Sequence, residues 1–180
     1  MSDTQPHLCY TLMEINNGIR MGLRMNGCLL VALKKRLHVD LSAMSLLGSG
    51  TEGAVIRPVH VHIGNLPPAR SGDPAPQPFV LLAPVSGYLR EGESTARVAC
   101  VCSVYNPEEG DAEGAEMDMA ALLSELARSL APCCKMPLEG RYRLTPDEKG
   151  RLFPWEKSDM QPRPYLQATV MTCWRMKGPE

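Results

Sequence analysis

The sequence predicts an α+β fold: a mixed, mostly antiparallel β-sheet flanked by an N-terminal helix and a second amphipathic helix. Three observations predict it. Leu8, Leu12, Ile15, Ile19, Leu23, Leu30, Leu33 and Leu37 recur in steps of three and four, with a gap at Asn26; Met119, Leu122, Leu123, Leu126 and Leu130 recur in the same way. That spacing lines one face of an α-helix. Residues 96–104 and 166–176 largely alternate apolar with polar or amphipathic side chains, the period of a half-buried strand. A polar stretch joins the apolar run 79–85 to the alternating run 96–104, which is the pattern of an antiparallel hairpin.

Taken in chain order, the first element is a helix over 8–39. Gly18, Gly22 and Gly27 each weaken it by about 1 kcal/mol relative to Ala. They would let another backbone approach closely or divide the segment into two shorter helices. Lys34, Lys35 and Arg36 stand near its end, where positive charge complements the helix dipole. The Gly-rich GSGTEG at 48–53 is expected to be a flexible loop, with no Gly-Lys-Ser/Thr behind it to make a phosphate loop. VHVHIG, 59–64, alternates as a short strand. Asn65–Pro78 is too rich in Pro and Gly to be regular and reads as a long loop.

Phe79–Val85 is a near-continuous apolar run suited to a central strand, with the turn expected at Gly87–Glu93. In the following strand Ala96, Val98, Cys100, Cys102 and Val104 fall on one face by the two-residue period. An acidic loop, Asn106–Asp118, precedes a helix expected from Asp118, its cap, to about Ala131, where Pro132 stops it. Residues 140–144 form a short strand or an extended connection. A second Pro-rich loop, 153–164, leads to a final strand with Leu166, Ala168, Val170, Trp174 and Met176 on one side. The 180 residues are expected to form one domain, 1–180, made of the helical segment 8–39 and a sheet-and-helix body, 55–176.

Composition narrows the function. A net charge of -1 argues against a domain-wide nucleic-acid footprint, which needs a basic excess, so no sequence-specific nucleic-acid binding is expected. No apolar run approaches the ~20 residues of a membrane span, and MSDTQPH carries no basic or apolar export signal, so no membrane partner and synthesis in the cytoplasm are expected. Seven Cys at irregular spacing do not make a disulfide framework, and most thiols are expected free.

Candidate chemistry is sparse. Cys100 and Cys102 share a strand face and could touch a metal, but neither a CxxC pair nor a nearby His completes a tetrahedral set, and two buried thiols pack as small hydrophobes. Cys133 and Cys134 follow the second helix; a vicinal disulfide would be strained. His60 and His62 share one strand face, a legitimate two-ligand geometry that lacks a third ligand in sequence. No nucleophile elbow, kinase set or dinucleotide fingerprint occurs, so no enzyme and no cofactor are expected.

Charge, by contrast, is segregated. Arg20, Arg24, Lys34, Lys35 and Arg36 lie in a segment without an acidic residue, and Glu108, Glu109, Asp111, Glu113, Glu116 and Asp118 lie in one without a basic residue. The two stretches are either separate solvated faces or the two sides of a head-to-tail contact between identical subunits.

The succession VHVHIGNLPPARSGDPAPQPFVLLAPVSG, STARVACVCSVYNPEEG, an amphipathic helix, LEGRYRL and RPYLQATVMTCW, spanning roughly 58–175, resembles a family of small tailed-phage and prophage proteins. Members pair a strand ending in a YLPP-like turn with PFVLVRPVSG, GVYxxDPEEG and PYPYWxGxMTTTW segments. The family is similar to the tail terminators, also called tail completion or minor tail proteins. The resemblance implies an α+β subunit that forms a homo-hexameric ring at the head-proximal end of the tail tube. Its partners would be other copies of itself, the tail tube protein and the head-tail connector protein. Its place would be the tail or neck of the virion after synthesis in the bacterial host cytoplasm. The loops 65–78 and 154–164 would then be contact arms. The sequence departs from the family at Leu166, where an aromatic is usual, and in its longer, Met-rich N-terminal segment. The alternatives are another neck or tail-assembly factor of the same fold, and a metal- or ligand-binding domain built on His60 and His62.

Overall fold

The computed structural model describes residues 27–50, 53–67, 76–90, 93–105, 112–158, 161 and 165–177. Helix α1 occupies residues 27–41; the part of the expected helix at 8–26 lies outside the described residues. Its leucines behave as the spacing requires. Leu29, Leu33 and Leu37 are buried in line, with Leu30, Ala32 and Leu41 beside them. The chain leaves the helix through Ser42, whose hydroxyl donates to the Val39 carbonyl at 2.9 Å.

The glycine-rich stretch expected to be a loop is instead most of a hairpin. Strand β1, Ser45–Gly50, pairs antiparallel with β2, Gly53–Pro58, and residues 51–52 between them lie outside the described residues. Gly48 is there for want of space. A Cβ at that position would lie 2.8 Å from the Gln77 carbonyl oxygen and equally close to the Arg57 side chain. The absent side chain admits a backbone-to-backbone approach, and flexibility is not what selects glycine here.

Six strands form the main sheet, in the order β3 (His60–Ile63), β4 (Phe79–Arg90), β5 (Glu93–Tyr105), β8 (Tyr165–Lys177), β6 (Tyr142–Thr145), with β7 (Trp155–Lys157) also on β8. β6 and β7 share the outer edge of β8, opposite Cys173–Met176 and Ala168–Val170 respectively. Only β3 and β4 run parallel; every other pair is antiparallel. The parallel pair accounts for the long Pro-rich connection between them, since a parallel return needs a crossover of about a dozen residues or more. Of that connection, residues 68–75 lie outside the described residues.

The expected turn at Gly87–Glu93 is shorter than the sequence suggests, because β4 runs to Arg90 and β5 resumes at Glu93. Pro84 sits in β4 beyond Leu82, the last residue paired to β3, so its missing N–H leaves no gap in that ladder. The ladder slips by one residue there, between Pro84 and Ser86, and Val85 bulges outward. Residues 140–144 resolve into the strand β6, and the second Pro-rich loop contains β7.

Helix α2, Ala112–Leu130, begins six residues before the expected start. Asp118 therefore lies in its second turn and cannot cap it, and Glu113 and Glu116 belong to the helix rather than to a loop. Ala115, Met119, Leu122, Leu126 and Leu130 are buried along one face. A 3-10 turn, Ala131–Cys134, follows, with Pro132 at its start.

Both helices cover one face of the sheet. That face supplies Val80 and Leu82 from β4, Ala96, Val98, Cys100, Cys102 and Val104 from β5, and Ala168, Val170, Trp174 and Met176 from β8, all buried in the same core as the α1 and α2 leucines. α1 and α2 are tied together where the Ser129 hydroxyl donates to the Asp40 carboxylate. Trp174, only 1% exposed, carries its polar atom into this core. Its indole N–H donates to the Thr172 hydroxyl at 2.9 Å, which donates in turn to the Val98 carbonyl at 3.0 Å. No helix among the described residues is long and apolar enough to cross a membrane.

Replacing Thr172 with Val should strand the buried indole N–H and cost about 1–3 kcal/mol, and Trp174→Ala should cost about 3–5 kcal/mol. Urea unfolding followed by circular dichroism measures both. A Thr172→Val loss below about 0.5 kcal/mol would show that this relay does not hold the ring.

Candidate functional site

The cysteine pair on β5 is packing. Cys100 and Cys102 are fully buried on the helix-covered face, and the Cys102 thiol points at the Cys100 carbonyl at 3.9 Å. Loss of solvent pushes the Cys100 thiol up to about 12, against a smaller lowering by the Thr172 hydroxyl, and raises Cys102 as well with Cys100 beside it. Neither is a thiolate at neutral pH, so neither is a nucleophile or a ready metal ligand. Cys133 is buried and Cys134 half-buried in the 3-10 turn, and both are free thiols. Cys28, at the start of α1, is exposed.

His60 and His62 do share a face, as the period of two requires. β3 is an edge strand, His60 is exposed and His62 half-buried, and their ring centroids are 6.3 Å apart at 44°. His62 meets Phe79 edge-on at 6.4 Å. Among the described residues no three His, Cys, Asp or Glu side chains gather as a metal-holding group. Burial, then the neighbouring His60 charge, then Lys34 on α1 hold His62 below its ordinary value of 6.5.

The charged residues sort into three groups. Arg20, Arg24, Glu108, Glu109 and Asp111 lie outside the described residues. Arg36 is consumed within the subunit, its Nε 2.8 Å from Asp40 on the next turn of α1. Lys34, Lys35 and Glu113 are exposed, and none of the three forms an ion pair among the described residues. Glu116 is also used internally, since Lys157 Nζ donates to both of its carboxylate oxygens at 2.5 Å and so binds β7 to the first turns of α2.

That ion pair and Trp155 were not legible as features of a surface. Trp155 is 55% exposed at the head of β7, in a strand of three residues that offers no periodicity to read. The signal available was an aromatic side chain inside a polar, Pro-bounded stretch of a chain with only 5% aromatics.

No protein-family model matches the chain, and no curated protein matches it.

Two outcomes follow from the titrating groups. In native protein a thiol reagent should modify the exposed Cys28 readily, whereas the buried Cys100 and Cys102, both held protonated by loss of solvent, should react only at the rate of unfolding. Peptide mapping of rapid native label at either buried position would contradict this assignment. Because His62 is depressed in the fold, the unfolded chain takes up that proton first. Stability is therefore undiminished above pH 6.5 and falls as pH drops below it. His62→Asn should flatten the decline in urea midpoint between about pH 7 and pH 5; an identical decline in both proteins would remove His62 from the cause.

Proposed function

We propose that this chain is a structural subunit of a tailed-phage or prophage virion, a tail terminator whose copies form a ring at the head-proximal end of the tail tube and join it to the head connector. The observation that carries the reading is where the family-like motifs fall. PFVLLAPVSG begins at Pro78 and runs into β4, STARVACVCSVY lies within β5, and YLQATVMTCW opens β8. These three strands are consecutive neighbours in the sheet and supply most of its buried face. The motifs are thus framework residues, and the resemblance is one of architecture and not of a catalytic constellation.

The work of such a subunit is to hold its shape and to dock. The long β4–β5–β8 ladder, backed by two helices, suits it to that role, and surface charge at Lys34, Lys35 and Glu113, in no ion pair among the described residues, suits it to repeated contact with its own kind. No bound cofactor and no chemical step are required. Negative-stain microscopy of the purified protein with tail tubes from a long-tailed phage should show density capping one end of each tube. Tubes left bare at both ends by a saturating concentration of folded protein would refute the assignment.

A further inference from the structure

Val31, Lys35 and Val39 are spaced i, i+4 and i+8 on α1 and so stand one above another along the helix. All three point outward, with Val31 62% and Val39 66% exposed, and the exposed Lys34 and His38 flank the line. The surface is an apolar stripe with positive charge set into it. A second surface has the opposite charge. On α2, Glu113 and Met117 are spaced i, i+4 and both exposed, Met117 at 66%. The Glu116–Lys157 ion pair draws β7, with its exposed Trp155, against this end of the helix. Because Glu116 and Lys157 neutralise each other, Glu113 on α2 and Glu156 on β7 give the corner its negative sign.

The two surfaces belong to different elements. α1 reaches across the sheet, with Lys34 near His62 of β3 and Cys28 near Tyr142 of β6. The other surface is the start of α2 with β7, which hangs on the outer edge of β8 at Ala168–Val170. A subunit can therefore offer one surface to one neighbour while its other surface stays available to a second.

We infer that the outer stripe of α1 docks on the α2–β7 corner of another copy of this chain, the valines covering Met117 and Trp155 and Lys35 facing Glu113. The pairing deepens the virion-subunit reading by naming the surfaces through which copies meet. Trp is among the side chains that most often anchor interfaces and Met is enriched in them, and a Lys–Glu pair at their margin sets orientation and speeds encounter. A contact between two different patches is heterologous, so it repeats, closing into a ring if the rotation between copies divides a full turn and running into a filament if it does not.

A charge-swap cycle tests it, with self-association read by analytical ultracentrifugation over a range of protein concentrations and salt. Lys35→Glu and Glu113→Lys should each weaken association by roughly tenfold or more, and the two together should restore most of the loss. Assembly of wild type should also shift the emission of Trp155 to the blue, against the constant background of the buried Trp174, and this shift should be missing in the single swaps. Both positions are exposed, and far-ultraviolet circular dichroism checks that each variant is folded. Single swaps that associate like wild type, or a wild type that stays monomeric at every concentration, would overturn the contact. The virion reading fails separately. Wild type that caps tail tubes while the swaps leave association untouched keeps that reading and loses this contact. A complete swap cycle in a protein that never binds tubes keeps the contact and loses the reading.

Discussion

Thirteen residues of β5 pair without interruption with thirteen of β8, from Glu93 opposite Lys177 to Tyr105 opposite Tyr165. In so long an antiparallel register a shift by one residue would turn every side chain to the wrong face. Ala96, Val98, Cys100, Cys102 and Val104 are therefore held on one side together with Ala168, Val170, Thr172, Trp174 and Met176. The apolar face so produced is too large to leave in water, and α1 and α2 are the elements with matching leucine stripes. β4 extends the platform on one side; β6 and β7 divide the other edge between them.

The same ladder explains why the cysteines and the threonine relay are structural. A thiol on the buried side of a central strand loses its water and with it any tendency to ionise, so Cys100 and Cys102 contribute volume alone. Thr172 is the one polar side chain that β8 turns inward, and it is tolerated because it accepts from Trp174 and donates to Val98. The opposite face of the sheet carries Leu81, Val101, Thr169 and Met171 half-buried, with neither described helix upon it.

Layering helices on one side also decides where the surface is distinctive. Charges that lie between elements are spent on joining them, as Asp40 is with Arg36 and Ser129, and Glu116 with Lys157. Exposed charge stands on the outward faces of α1 and α2 and on β7, as well as in the connections around β6. The internal ion pairs stiffen the body, and the exposed charges of α1, Lys34 and Lys35, are opposite in sign to Glu113 on α2.

Local pattern was enough wherever burial repeats with the period of a single element. The alternation in 96–104, the stripe from Met119 to Leu130 and the inward set of 166–176 all appear as the sequence predicts, and with them the α+β class. The two-residue period likewise put Cys100 with Cys102 and His60 with His62 on shared faces. What depended on distant partners could not be read locally. Gly48 looks like a loop glycine until the Gln77 carbonyl is seen against it, and the WEK of β7 becomes a strand only because β8 offers an open edge. The parallel direction of β3 and the sorting of Arg36 and Glu116 away from Lys34, Lys35 and Glu113 are of the same kind. Periodicity reports how one segment divides between core and water; which segments stand opposite one another is set by packing the whole chain, and that belongs to the tertiary structure.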